Sequence, residues 1–463
     1  MKLPLMILGV GLNAFAFLPN NNPATFRAAQ DPALETDLSK LPLSGSLSPE
    51  KTPWSSSFWP NVYGGIAFRW NDKALQSKEP SFAELHYKVD EINEEISELK
   101  KTMYTQDGLG ESLGRIAELN NEKRATNLKK AAYYNRYFFQ LQRPRGLRDL
   151  RRMGQQALDE LSPAEKFDAY MIATGQERKF RLTQRVLKDT SPYHAYWEGI
   201  CNGWSSAALE FQEPEPTTVR ASGVTINFGS SDLKALLSYY HAKLRKQSIT
   251  YIGKRCNVEF PKESWSIENG KEYYKTVVGG MIVKNEVPVE CQDTDAGAFH
   301  IVMGNYLGLW DEGVLAEVVH DKEIWNQPVY GFNSQVLKRG ASLDRRRTPG
   351  TAQQVEVKTE MLYANDGGRM FWRHDGSDDE FYAWWEMTNN SSNYRGDSKT
   401  YHYILDLNSR GEIIGGHWKS YLRPDFLWVK RIKGWSTNAW ANNKQIVKYL
   451  TNLRKLSGVK FQK

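Results

Sequence analysis

The apolar positions divide the chain into a helical first half and a strand-rich second half. Phe82, Leu85, Val89, Ile92, Ile96, Leu99 and Met103 recur in steps of three and four, the spacing that lines one face of a helix. Ser81 stands at the capping position with Glu84 three residues on, which is a capping-box pattern. After a break at 106–110, a second helical pattern runs through Leu113, Ile116, Leu119 and Leu128. The two predict an αα-hairpin, and the shortness of the seam favours packing within the chain over a dimerising coiled coil. Ser162-Pro163-Ala164-Glu165 opens a further helix with Pro at the first helical position. Residues 231–240 open another, and the small and apolar residues after Gly199-Ile200-Cys201 place Cys201 in the first turn of a third.

Residues 222–228 are a short strand candidate, and from about residue 251 strands dominate. Residues 297–303 and 314–319 read as two strands, with His300 in the middle of the first. Residues 355–361 and 400–407 alternate, and Asn408-Ser409-Arg410-Gly411 turns the chain into Glu412-Ile413-Ile414 as a hairpin. No internal repeat is apparent. The expected class is α+β, divided into a leader at 1–16, a linker or pro-segment at 17–80, a helical region at 81–180, a core at 181–345 and a β-rich part at 346–463. The Pro, Ser, Asn and Ala content of 17–80 suits a linker or pro-segment more than a packed domain. Trp54, Phe58, Trp59 and Tyr63 are the exceptions there.

Composition adds to this picture at three points. The apolar run 3–12 after Lys2, followed by Asn13-Ala14-Phe15-Ala16, reads as a secretory signal peptide. No later segment approaches the roughly 20 apolar residues of a membrane helix, so the expected protein is secreted, without a membrane span. The net charge of +7 over 463 residues is mild, with no basic stripe interleaved with aromatics, which argues against nucleic acid as a partner. Arg143, Arg145, Arg148, Arg151 and Arg152 suit a solvated helix face better than a processing site or an acid-binding patch. Trp372, Trp384, Trp385 and Trp418 suit core packing.

Three cysteines, Cys201, Cys256 and Cys291, imply one disulfide and one free thiol in an exported protein. Counting leaves three pairings open. Cys256 and Cys291 flank a strand-rich stretch and Cys201 starts a helix, which favours Cys256–Cys291. Cys201 is then a candidate nucleophile, because a helix N-terminus favours the thiolate. Such a thiol needs a base, and the base an orienting acceptor. His300, followed by a strand carrying Glu317, fits that order. His194 and His241 lack an acidic partner by pattern.

Residues 323–332, Glu-Ile-Trp-Asn-Gln-Pro-Val-Tyr-Gly-Phe, closely resemble the surface peptide of the oomycete transglutaminase elicitors and their bacterial relatives. Further stretches are similar to that family in the same order: 201–204, 223–225 with 232–236, 298–300, 305–308, 411–416 and 424–428. The resemblance spans about 193–430. It implies a papain- and transglutaminase-like thiol-enzyme core and a secreted protein-glutamine γ-glutamyltransferase that joins protein Gln and Lys side chains through a Cys201 thioester. It implies Cys201 as nucleophile, His300 as base and Glu317 as the third residue, where the family has Asp; Asp321 is the rival. The family's paired cysteines match Cys256 and Cys291. Tyr330 stands where the elicitor peptide is basic, so recognition by plants does not carry over. The backbone N–H of Cys201 and the indole of Trp204 are candidate oxyanion donors. Calcium is open as a cofactor by resemblance, although no EF-hand loop occurs and the acidic run 375–380 suits a solvated turn. A cysteine protease or deamidase using the same triad, and a non-enzymatic binding protein, are the alternatives.

Overall fold

A computed structural model describes residues 23, 34–69, 82–104, 109–141, 143–195, 197–245, 249–256, 258, 262–278, 280–288, 291, 293–318, 323–365, 396–430, 444–458 and 460. The expected leader, Ser81, Asp321, the acidic run 375–380 and Trp372, Trp384 and Trp385 lie outside these residues.

The helical seam forms the hairpin expected of it. Helix α1 (Phe82–Thr102) and helix α2 (Leu109–Gln140) pack through Ile92, Ile96 and Leu119 in a small core of their own. Helix α3 (Pro163–Ala173) starts on the expected capping box. The Ser162 hydroxyl accepts from the Glu165 N–H at 3.2 Å, and the Ser162 N–H donates back to Glu165 at 3.0 Å. It is buried along its whole length, and packs with α4 (Arg181–Lys188), α5 (Cys201–Ala208), α6 (Ser230–Tyr239) and the C-terminal α8 (Lys444–Ser457) around one core. Gly203 permits the α5–α6 crossing, because a Cβ there would collide with the Ser238 carbonyl and Ala242.

Beside these helices lies a curled antiparallel sheet in the order β12-β11-β10-β9-β8-β13-β4, with β1 added against β9. Its strands are β1 (Ser44–Ser46), β4 (Ile249–Gly253), β8 (Val314–Glu317), β9 (Asn326–Gly340), β10 (Gln353–Ala364), β11 (Gly396–Leu407), β12 (Ile413–Trp418) and β13 (Phe426–Lys430). Strands β10–β12 follow the alternation and turn read from the sequence. Register shifts at Glu356/Val357 and Leu362/Tyr363 are the irregularities that bend and twist such a sheet. Two smaller sheets stand apart. One is β2 (Thr217–Ala221) with β3 (Val224–Phe228). The other is β5 (Trp265–Glu268), β6 (Lys271–Val278) and β7 (Met281–Glu286).

Three expectations change here. Residues 297–303 are not a strand: α7 (Ala296–Val302) is a helix, capped by the Asp295 side chain accepting from the Ala298 N–H at 2.9 Å. A fully buried helix is apolar on every side, so its short run carries no helical period. Gly297 also permits it to lie against β12, where a Cβ would meet the Gly415 carbonyl at 2.6 Å. Residues 34–69 are packed, not a bare linker. Leu34, Leu38, Leu41 and Leu47 enter the sheet core, and Trp54, Trp59, Val62, Ile66 and Phe68 enter the helical core. Arg143 does not lie on a solvated face; it pairs at 2.8 Å with the buried Glu165, which Arg69 also clamps.

Candidate active site

Cys201 is the first residue of α5. It is 7% exposed and is not disulfide-bonded, and the bond joins Cys256 and Cys291. A sulfur at the first helical position lies beside the positive end of the helix dipole, where the Gly203 and Trp204 N–H groups close onto the Ile200 carbonyl at 2.9 and 3.0 Å. The helix backs onto the start of β9. The Cys201 thiol donates to the Ile324 carbonyl at 3.6 Å, and Asn326 Nδ2 donates to the sulfur at 3.6 Å. Trp428 Nε1 in turn donates to Asn326 Oδ1 at 2.8 Å.

The pairing of β8 with β9 sorts the other candidates. Asn326 lies directly opposite Glu317, and Pro328 opposite Leu315. Opposed residues point to the same face, and alternate residues share it. Glu317 is therefore on the sulfur's face of the sheet, fully buried, with Leu315, Phe426 and Trp428 packed together on that face. The β8 residues between, Val314 and Ala316, pack on the other face with Phe299, Ile301 and Val302 of α7.

His300 belongs to that other face. Its Nδ1 is 2.7 Å from the Tyr403 hydroxyl, which is 2.7 Å from Thr359 Oγ1, and Thr359 is 2.8 Å from the Ser334 hydroxyl. Burial pulls its imidazole down to about 4, so the ring is neutral at ordinary pH. The structure thus brings Cys201 and Glu317 to one side of the sheet and leaves His300 behind it.

The carboxylates near Glu317 are strongly perturbed. Burial first, and then the neighbouring Asp293 and Glu317, push Asp425 well above the ordinary carboxylate range. Asp425 accepts from the Cys256 N–H at 2.9 and 3.0 Å, while the Asp293 carboxylate holds the buried Arg423. This cluster braces the disulfide against β13. Among the described residues no group of three or more His, Cys, Asp or Glu side chains gathers as a metal site, and no helix is long and apolar enough to cross a membrane.

One of the two expected donors, Trp204, is engaged elsewhere. The Trp204 indole donates to the Trp54 carbonyl at 3.1 Å, so it is spent in the core. Asn326 was visible only as part of a family marker, and its contact with the sulfur joins positions 125 residues apart. His194 does have an acidic partner: it pairs with Glu198, four residues on and three residues before Cys201. His241 lies 3.8 Å from Glu210.

A family model described as transglutaminase elicitor matches residues 181–442, more than half of the chain. The crystal structure of the GP42 transglutaminase from Phytophthora sojae is similar, with a TM-score of 0.48 and 18% identity over 91% of this chain and 94% of that one. No curated protein matches.

Proposed function

Because the chain belongs to the transglutaminase elicitor family, we propose that it is a protein-glutamine γ-glutamyltransferase with Cys201 as its nucleophile. The observation that carries this reading is the place of the sulfur: first turn of α5, buried, with an amide donor from β9 against it. A helix bearing Cys backed by an antiparallel sheet supports a papain- and transglutaminase-like core, with His300 on a helix behind the sheet as the departure.

In the proposed reaction, sulfur attacks the γ-carboxamide carbon of a glutamine side chain. The C–S bond forms, the C–N bond breaks, and ammonia leaves with the thiol's proton. A lysine ε-amine then attacks the thioester; an isopeptide C–N bond forms, and sulfur recovers its proton. Glu317 is kept as the acidic residue of the site by its place on the sulfur's face, without His300 as a base for it to orient. His300 suits a supporting role, bonding α7 to the β10–β11 wall, better than removal of the thiol proton.

The proposal includes export, supported by the signal-like leader and by the disulfide, which persists in oxidising compartments. It keeps 181–345 as the catalytic part with 346–463 completing the sheet, and it treats 34–69 as a docked segment. The substrates are proteins presenting Gln and Lys.

The test is incorporation of a labelled primary amine into a glutamine-bearing protein by the purified chain and by Cys201→Ala. Incorporation lost with the thiol supports the reading. Ammonia release without incorporation indicates a deamidase, and backbone cleavage a protease. Equal activity in Cys201→Ala removes the proposal.

A further inference from the structure

Asn326 lies in the 325–329 run that marks the family, and no step above uses it. Its side chain is buried and bridges two others. Oδ1 accepts from Trp428 Nε1 at 2.8 Å, and Nδ2 stands 3.6 Å from Cys201 Sγ. An amide can be turned end for end only if both neighbours tolerate the exchange. An indole N–H can only donate, so the oxygen must face Trp428 and the NH2 must face the sulfur. Trp428 is held in turn: it is buried on β13 among Leu315 and Phe426 and stacks on Tyr251 with ring centres 6.1 Å apart.

We propose that Asn326 is a catalytic residue of this site, the oxyanion donor, and that Trp428 is its positioning residue. When sulfur bonds to an acyl carbon, the carbonyl π pair moves onto oxygen. That oxygen is carried by the atom newly bonded to Sγ, within reach of an N–H that already lies against the sulfur. On collapse, the pair re-forms the C=O and the bond to the leaving group breaks. A donor fixed before the reaction, in a buried setting, stabilises this charge without reorganising. The inference rests on Cys201 as an acyl-transfer nucleophile and not on which acyl donor it takes.

The full chain is compared with Asn326→Ala, Asn326→Asp and Trp428→Phe in two reactions of the same thiol. Acylation by p-nitrophenyl acetate passes through an oxyanion; alkylation by iodoacetamide does not. With alkylation as the reference for ionisation of the same thiol, we expect the acylation burst to slow about 10²–10³-fold more than alkylation does in both Asn326 variants, and by less in Trp428→Phe. An unslowed burst in Asn326→Ala overturns the inference, as does equal loss of both reactions in variants that unfold cooperatively. If Asn326→Ala does not fold, Trp428→Phe carries the comparison, and slowing of acylation beyond that of alkylation is again the supporting result. A wild-type burst without amine incorporation defeats the transglutaminase reading and leaves the Asn326 comparison standing. Absence of a wild-type burst overturns both.

Discussion

Gly199 and Phe58 meet backbone to backbone beside the cysteine. A Cβ on Gly199 would collide with the Phe58 carbonyl, and that carbonyl accepts from the next N–H, that of Ile200, at 2.7 Å. The Asn61 N–H donates to Glu198 at 2.8 Å, and the Phe58 ring meets Trp325 edge-on at 5.1 Å. The segment carrying Phe58 is therefore clipped to the residues that deliver Cys201. Gly199→Ala should lift this clip and cost about 1–3 kcal/mol, as overpacking does. Denaturant unfolding measures the cost, and wild-type stability would contradict the contact. Deleting 34–69 should remove cooperative unfolding, because both cores lose buried side chains to water.

Glu165 ties the same segment to α3. Burial pushes its carboxyl up, but the Arg69 and Arg143 guanidiniums outweigh that and hold it at about 2. Its stabilising ionisation is present above the ordinary value near 4.5 and is lost as pH falls through 2. Glu165→Ala would leave Arg69 and Arg143 facing a buried gap, at a cost of about 3–5 kcal/mol. A change below about 1 kcal/mol in denaturation at pH 7 would show the pair to be solvated.

His300 sets a pH dependence of known sign. Folding lowers its imidazole to about 4, whereas the unfolded chain leaves it near ~6.5. Between these values the unfolded state binds more protons, so stability rises with pH across that window. His300→Gln, which cannot titrate, should gain on wild type by at most about 3 kcal/mol on going from pH 7.5 to 4. A stability difference that stays constant with pH would show that the ring is not desolvated.

The cysteines can be counted directly. Without reductant, unfolded protein should show one titratable thiol, and with reductant three, the number in the chain. Blocking Cys201 first should abolish the signal in the unreduced sample. Reduction of Cys256–Cys291, separated by 35 residues, should cost about 2–4 kcal/mol, read as a lower Tm. Two or more thiols without reductant would refute the pairing.

The sequence by itself determined the elements whose side chains alternate between core and water. The α1–α2 seam and the β10–β12 hairpins leave such a period, because one face of each is buried and the other is not; α3 and α5 are buried nearly throughout and are marked by their starts, the Ser162–Glu165 box and the turn before Cys201. Helix α7 leaves none, since it is buried all round, and the sequence around His300 therefore reads as a strand. Only the tertiary structure decided which faces meet. A period of two states that Glu317 and Leu315 share a face; it does not state whether that face turns toward Cys201 or toward α7. The meeting of Cys201 with Asn326 depends on packing between distant segments, as does the spending of Trp204 on the Trp54 carbonyl. Close packing between surfaces far apart in sequence leaves no mark on local pattern, and this contact placed an amide, not an imidazole, against the sulfur.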